Sequence, residues 1–233
     1  AYSISNLPVE VVQLILNFLP IKDAARTSVL SRDWRHHWRS IPRLVFDGDF
    51  ASLRSRESWS RSDLRQLMTS IYQALQMAAV LPEFFESFLP KCPLLEELKI
   101  LNCLNTEEIE LVAPCLKTFL IFGYIGSLHF KRTPLLSVVS ILVDDEADEN
   151  DMEVVFANLP ALQQLYLSFE FLEELCIGGP VPRRLPTLLH CLEDLALRSC
   201  AFIDYYNGSF GDSVLFCLIR SSPNLKTLTM QVG

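Results

Sequence analysis

The side chains in this chain that are best suited to nucleophilic or metal chemistry are seven cysteines and four histidines. The cysteines include no C-x-x-C pair, and the histidines are not clustered as the ligands of a zinc site would be. An odd number of scattered cysteines is typical of buried free thiols in a reducing compartment. We expect such burial for the cysteines in largely apolar segments, which are Cys92, Cys103, Cys115, Cys191 and Cys200. The pattern predicts neither a metal site nor a cofactor.

Other patterns that carry catalysis are also missing from the sequence. It contains no G-x-S-x-G motif, no glycine-rich phosphate loop and no zinc-protease motif. His129 and His190 lie beside apolar residues, which favours core histidines over catalytic bases. The acidic run DDEADEND, residues 144–151, lacks the glycine and the terminal glutamate spacing of a calcium loop, so we expect a solvated loop. These observations predict that the chain is not an enzyme.

The composition and charge of the chain indicate what kind of protein would hold its binding residues in place. Half of the 233 residues are apolar, which is enough for a sizeable core. No apolar run reaches the roughly eighteen residues of a membrane span, and no signal peptide is seen, so we expect no membrane association. The net charge of −8 is uneven, because residues 1–45 carry three acidic and six basic side chains while the remainder carries −11. This contrast predicts a small basic region followed by a larger acidic one.

The first predicted helix has an unusually wide apolar face. It lies in NLPVEVVQLILNFLP and ends near Pro20, which cannot continue it. On a helical wheel Glu10, Gln13 and Asn17 fill a wedge of roughly 60°, and apolar residues fill nearly all the rest. Two further short helices are predicted, over AARTSVL and RDWRHHWRS. Three such helices cannot bury this much apolar surface among themselves, so we expect a protein partner to cover it.

Two alternatives remain for this N-terminal region. The apolar face could pack on the rest of the same chain. The third predicted helix could instead bind nucleic acid through a basic face, formed by Arg32, Arg35, His36, His37 and Arg39. Trp34 and Trp38 form an apolar seam on that helix, and the chain is acidic overall, so we favour a solvated basic face and expect no nucleic-acid partner.

The connector after this region is predicted to contain a strand, a loop and a helix. RLVFDGDF, residues 43–50, predicts a strand that ends at Gly48. The polar stretch ASLRSRESWSRS predicts a loop, and DLRQLMTSIYQALQMAA after Ser62 predicts a helix.

A repeat then occupies the rest of the chain. The pattern Leu95-x-x-Leu98-x-Ile100 recurs with starts 21, 20, 26, 30 and 33 residues apart, at Leu116, Leu136, Leu162, Leu192 and Leu225. This is the leucine-rich-repeat template, in which each unit supplies one short strand to a shared core. The segments DMEVVFANLP and SVLFCLIRSSP predict helices on the opposite, convex side. A further fit at Leu172 starts only ten residues after its predecessor, which predicts part of a connection.

The strand residues between the inward positions face outward. A concave sheet is where such proteins usually hold a partner, so these residues form a candidate substrate-binding surface: Lys99, Leu101, Thr118, Leu120, Gln164, Tyr166, Asp194, Arg198, Thr227 and Thr229.

The segment NLPVEVVQLILNFLPIKDAARTSVLSRDWRHHW resembles an F-box. The resemblance rests on the Leu7–Pro8 opening, the LPIKD corner from Leu19, the segment VLS and Trp34. With LPKCPLLEELKILNC, LVAPCLKTFLI and SSPNLKTLTM added, nearly the whole chain resembles plant F-box/leucine-rich-repeat proteins of the FBD class. This resemblance implies an α+β fold. A three-helix F-box would be followed by an irregular leucine-rich-repeat solenoid, with short parallel strands and a helical or looped convex side.

The resemblance also implies a function in the nucleus or the cytoplasm. Such a protein would be the substrate-recognition subunit of an SCF-type ubiquitin ligase, docking on a Skp-type adaptor and through it on cullin. The repeats would hold an unidentified protein target for ubiquitination. The alternative is a leucine-rich-repeat interaction scaffold or a hormone co-receptor that does not depend on the ligase.

Residue roles and domain limits follow from the same resemblance. Residues 1–45 would form the F-box module, 46–90 a connector and 91–233 the repeat region, with a limited boundary between F-box and repeats. Carried over by position, the adaptor-binding residues would be Leu7, Pro8, Val11, Val12, Ile15, Leu16, Leu19, Pro20, Val29, Leu30 and Trp34.

Overall fold

The computed structural model describes residues 7–19, 41–46, 92–101, 108–123, 125–143, 150–177, 180–198 and 211–231, and the single positions 27, 34, 37 and 89. The elements in chain order are α1 (Val9–Asn17), β1 (Arg43–Phe46), β2 (Glu97–Leu101), β3 (Glu108–Val112), β4 (Thr118–Phe122), β5 (Ser127–Arg132), β6 (Val138–Leu142), α2 (Met152–Val155), β7 (Gln164–Ser168), α3 (Phe169–Ile177), β8 (Asp194–Arg198), α4 (Gly211–Ser221) and β9 (Thr227–Gln231). The predicted loop after residue 50, the helix after Ser62 and most of the acidic run lie outside the described residues. So do most residues of the second and third predicted helices.

Seven strands form one parallel sheet, in the order β1-β2-β4-β6-β7-β8-β9. Each of the six repeats lies on one of its last six strands, so the prediction of one strand per repeat is confirmed. Equivalent positions of successive repeats lie side by side, as Leu98 pairs with Phe119 and Phe119 with Val139. The fold is therefore mixed α and β, with a parallel sheet whose register follows the repeat in the sequence.

The inward side chains of these strands form the core. Successive side chains of a strand point to opposite faces, so the two inward positions of each repeat are buried together. From β2 to β8 they are at most 1% exposed, namely Leu98, Ile100, Phe119, Ile121, Val139, Ile141, Leu165, Leu167, Leu195 and Leu197. The expectation of burial is wrong for Leu228 and Met230 on β9, which are 43% and 50% exposed. Strand β9 pairs with β8 on one side only, so its side chains have fewer neighbours.

Every repeat enters its strand through the same turn. The N–H of its first leucine donates to the carbonyl three residues earlier, as Leu136 does to Thr133 at 3.1 Å. Two further N–H groups then share one carbonyl of the preceding repeat, as Lys117 and Thr118 share Glu96 at 2.8 and 3.0 Å. This arrangement recurs from β2 to β9 and satisfies the backbone groups at the start of each strand.

The opposite side of the core changes from strands to helices along the chain. Strands β3 and β5 form a separate parallel pair, which the sequence reading did not predict. Helix α2 packs against β5, α3 against β6 and β7, and α4 against α3. The predicted helices in DMEVVFANLP and SVLFCLIRSSP are α2 and α4, and the extra fit at Leu172 lies in α3, within a connection as expected.

Buried polar side chains connect neighbouring units on this side. Asn150, which precedes α2, accepts a hydrogen bond from Leu128 N–H and donates one to the Gly126 carbonyl, both at 3.0 Å. Ser168 at the end of β7 accepts from Val143 N–H at 2.9 Å. Each link satisfies a backbone group that the core would otherwise leave unpaired.

The N-terminal helix and the sheet share a core. Strand β1 spans residues 43–46 and pairs in parallel with β2, so it crosses the predicted domain limit after residue 45. Val12 and Leu16 of α1 belong to the same buried cluster as Trp34, Leu44 and Leu98. The first strand of the sheet thus lies at the junction of the predicted F-box module and connector, and the limited boundary between F-box and repeats stays a prediction.

Candidate protein-interaction sites

Helix α1 begins and ends as its sequence dictates. Pro8 stands immediately before the first helical residue, with φ −56° and ψ 146°, and its carbonyl accepts from the N–H groups of Val11 and Val12 at 3.0 and 3.1 Å. A proline fits there because the first helical turn leaves its own N–H groups without intrahelical acceptors. At the other end Phe18 N–H donates to the Ile15 carbonyl at 3.2 Å, which tightens the last turn.

The helix has one buried and one exposed apolar face. Val12 and Leu16 are 1% and 0% exposed, respectively. An arc of roughly 100° on the other side remains open, and its residues are 39%, 57%, 37% and 81% exposed, in the order Val11, Leu14, Ile15 and Phe18. We call these four residues the α1 face. An exposed patch of four large apolar side chains on one short helix is typical of a protein-interaction site.

The residues assigned to adaptor binding by resemblance do not all lie on this face. Val11, Ile15 and Pro8 are exposed, and Leu7 and Leu19 are partly exposed. Val12, Leu16 and Trp34 are core residues in this chain, since each is at most 2% exposed, and their assignment to adaptor binding stays a prediction. Pro20, Val29 and Leu30 lie outside the described residues.

Two members of the α1 face were missed by carrying positions over from the family. Leu14 and Phe18 are the most exposed apolar residues of the helix, at 57% and 81%. The helical wheel does include both residues in the apolar arc, where they lie between the polar wedge and Ile15. A wheel shows how wide the apolar arc is, but not which half the rest of the chain covers.

The outward face of the seven-stranded sheet is the second candidate surface, called here the outer sheet face. All ten residues predicted to face outward lie at least partly exposed on it, with Arg198, Thr227 and Thr229 the more exposed ones. The register brings them into rows across the strands, as Lys99 pairs with Leu120 and Gln164 with Asp194. Residues at the same strand positions were left out of the prediction, notably Phe122, Val138, Ser140, Leu142 and Ala196. The alternation of inward and outward positions in the repeat template would have identified them as outward-facing.

Both acidic groups on this face are already engaged. Glu97 on β2 pairs with Arg43 of β1 at 3.0 Å and with Lys99 at 2.6 Å. On the other side of the face Gln164 Nε2 donates to Asp194 Oδ2 at 3.3 Å, and Tyr166 donates its hydroxyl hydrogen to Gln164 Oε1 at 3.4 Å. These contacts orient the polar side chains before any partner arrives.

The described thiols do not form an activated nucleophile. Cys92 and Cys217 are buried, Cys115 and Cys176 are partly exposed, and none of the four forms a disulfide. Burial raises the pKa of the Cys217 thiol, the opposite of what a reactive cysteine needs. The expectation of burial is wrong for Cys191, which is exposed, while Cys103 and Cys200 lie outside the described residues.

The two histidines expected in the core have different environments. His129 on β5 is partly buried, whereas His190 is exposed in a turn before β8, so the prediction is wrong for His190. Within the described ranges, no three His, Cys, Asp or Glu side chains are grouped as a metal site would require. No helix in the same ranges is long and apolar enough to cross a membrane.

Comparisons with known proteins find an F-box domain and similar plant proteins. The F-box domain family matches residues 4–46. An F-box/FBD/LRR-repeat protein of Arabidopsis thaliana is 25% identical over 99% of the chain and 76% of its own length. An F-box/LRR-repeat protein and an FBD-associated F-box protein of the same plant are 29% and 27% identical over 97% of the chain. The chain spans only 55% and 53% of the length of these last two relatives.

Proposed function

Since this chain belongs to the plant F-box/leucine-rich-repeat proteins, we propose that it is the substrate-recognition subunit of an SCF-type ubiquitin ligase. The observation that carries the proposal is the α1 face, an exposed apolar arc within the residues that match the F-box domain. An F-box implies a Skp-type adaptor as partner, and through that adaptor the chain would reach cullin.

Adaptor docking would bury the α1 face. Phe18 and Leu14 are the anchors we propose, because large apolar side chains at the centre of an interface carry most of the binding energy. Burial of apolar surface contributes roughly 25 cal/mol per Å² before the costs of association. Val12, Leu16 and Trp34 would support the face from below, holding α1 on the core.

The remaining chain would form the target-binding part. One strand per repeat, in register across the sheet, supports a leucine-rich-repeat solenoid in which each unit completes the core of its neighbour. We also propose a three-helix F-box in 1–45, a connector in 46–90 and repeats in 91–233, with β1 shared between the first and last parts. The outer sheet face, with the ten residues predicted for it, would hold the protein target.

In this function the chain positions the target protein and does not itself make or break bonds. F-box/LRR proteins are generally non-catalytic adaptors. The ubiquitin-carrying enzyme would be recruited by the cullin, and holding the target beside it would raise the effective concentration of the target. The place of action implied by the resemblance, the nucleus or the cytoplasm, is part of the proposal.

Binding to a purified Skp-type adaptor tests the proposal. The double variant Leu14→Asp with Phe18→Asp should weaken binding of the full chain at least 100-fold, because unpaired carboxylates would be buried against apolar surface at a cost of several kcal/mol. Calorimetry would measure the affinity, and circular dichroism would show that the fold persists, since both side chains are exposed.

Leu135→Asp is the matched control. Leu135 is also an exposed leucine, at 49%, but it lies in the turn before β6. This variant should bind the adaptor like the parent chain. If the parent chain does not bind the adaptor, the ligase role is contradicted and the interaction scaffold is favoured. If the parent binds and the α1 double variant binds as tightly, the α1 face is not the docking site.

A further inference from the structure

The middle of the outer sheet face is apolar. Five half-buried side chains on β2, β4 and β6 form what we call the apolar patch, namely Leu101, Leu120, Phe122, Val138 and Leu142. Three of them are direct register neighbours in one row, in the order Leu101, Phe122 and Leu142. The patch therefore extends over three adjacent strands.

Small side chains adjoin the patch. The next row of the register runs Leu120, Ser140, Tyr166 and Ala196. Ser140 and Ala196 are small and only 9% exposed, so the Tyr166 ring stands between two low positions. The hydroxyl contact of Tyr166 with Gln164 orients that ring. Ser140 is consequently the small position between the larger side chains of Leu120 and Tyr166 in this row.

One cation near this row is available to a partner. Lys99 is paired with Glu97, and Asp194 accepts from Gln164. Arg198 at the end of β8 is exposed, and no ion pair among the described residues includes it. Although the repeat region is acidic overall, the charge that this face offers a partner is therefore positive.

The separation of Ser140 and Arg198 matches the spacing of residues in an extended peptide. Ser140 on β6 and Arg198 on β8 are two strands apart in the sheet. Neighbouring strands lie about 4.8 Å apart, and Arg198 lies two residues beyond Ala196, the member of the Ser140 row on β8. Two strand steps and about 6.6 Å along the strand give a separation of about 12 Å, which an extended chain spans in three to four residues at about 3.3 Å each.

We propose that the outer sheet face binds an extended segment of the target protein that crosses the strands. The segment inserts a large apolar side chain over Ser140 and places a carboxylate three or four residues away at Arg198. This inference rests on the proposed function, since it names the class of target segment that the repeats recognise.

A positional peptide library tests the inference. The probe is a set of nine-residue synthetic peptides with leucine fixed at the centre and each other position varied in turn, applied to the full chain. Aspartate and glutamate should be enriched at least fivefold over lysine three or four positions from the leucine, in one direction along the peptide. Fluorescence anisotropy with the selected peptide then gives affinities for the variants.

Two variants and one control make the test specific. Arg198→Glu should change the preferred residue at that position from acidic to basic, and Ser140→Leu should remove the preference for a large apolar side chain at the centre. Arg183→Glu changes an exposed arginine outside this face and should leave the selection unchanged. An absence of positional preference, or a preference that Arg198→Glu does not alter, would overturn the inference.

The adaptor-binding assay on the same preparation separates this result from the proposed function. Intact adaptor binding without peptide preference overturns the target class alone. Peptide preference without adaptor binding supports the target class and contradicts the ligase role.

Discussion

Two adjacent residues of α1 show what a sequence can establish about a single side chain. Ile15 and Leu16 are both apolar and both carried over from the family as docking residues. Ile15 is 37% exposed and Leu16 is fully buried. The sequence correctly indicated that the helix has more apolar surface than its own module covers. It could not assign the two halves of the arc, because the covering residues, Trp34 and Leu44 among them, come from later segments of the chain.

Leu16→Ala and Leu14→Ala should therefore differ in their effect on stability. Removing the buried Leu16 side chain leaves a cavity and should lower the free energy of unfolding by about 2–5 kcal/mol. Truncation of Leu14, which is 57% exposed, should lower it by about 0.5 kcal/mol or less. Urea titration of both variants measures the difference. Equal losses of unfolding free energy would mean that Leu16 does not lie on the core side of α1.

The thiols make a second prediction at this scale. Burial raises the pKa of Cys217, so less of it is thiolate at a given pH, and its side chain is also shielded from reagents. The pKa of Cys176 is raised by burial as well, with Glu173 adding to the effect. Alkylation of the native chain at pH 8, followed by mass spectrometry, should modify the exposed Cys191 well before Cys217. Faster labelling of Cys217 would contradict the burial described for α4.

At the level of elements, the repeat template was the most informative part of the sequence. Its two inward positions predicted the main-sheet strands β2, β4, β6, β7, β8 and β9, because core burial imposes the same spacing in every repeat. The template did not predict the pairing of β2 with β1. Strands β3 and β5 were missed. Their buried residues do alternate, as Ile109 with Leu111 and Leu128 with Phe130, but they lie between the template positions and each strand is short.

Asn150→Ala tests how the two sides of the core are linked. Asn150 satisfies Leu128 N–H and the Gly126 carbonyl within a buried environment. Its removal should lower the free energy of unfolding by about 1–3 kcal/mol for each buried group left unsatisfied. Asn158→Ala is the control, since Asn158 is exposed. Thermal unfolding of the two variants would show the difference, and a similar melting temperature for both would mean that the buried amide is not needed.

At the scale of the whole molecule, β1 determines how the two candidate surfaces are related. It carries part of the residues matched by the F-box domain and is also the first strand of the sheet. Since α1 packs on the same buried cluster as β1, the α1 face and the outer sheet face are connected through one core. In a ligase, such a connection would help to hold a bound target at a defined position relative to the adaptor.

Leu44→Ala on β1 tests this connection. Leu44 is 1% exposed, lies beside Leu98 in the register and belongs to the same buried cluster as Leu16 of α1, so its truncation should leave a cavity that loosens both β2 and α1. Hydrogen exchange measured by mass spectrometry should then increase in residues 9–17 and 97–101 together. Residues 194–198 lie several strands away and should change little, because repeat units couple mainly to their neighbours.

Val45→Ala is the control, since Val45 lies on the outer face of the same strand and is only partly buried. It should raise exchange in β1 itself far less than Leu44→Ala does and leave α1 unchanged. If Leu44→Ala accelerates exchange only within residues 43–46, α1 does not depend on the sheet. The limit after residue 45 would then separate two independent units, and the relative position of adaptor and target would depend on the connector between residues 46 and 90.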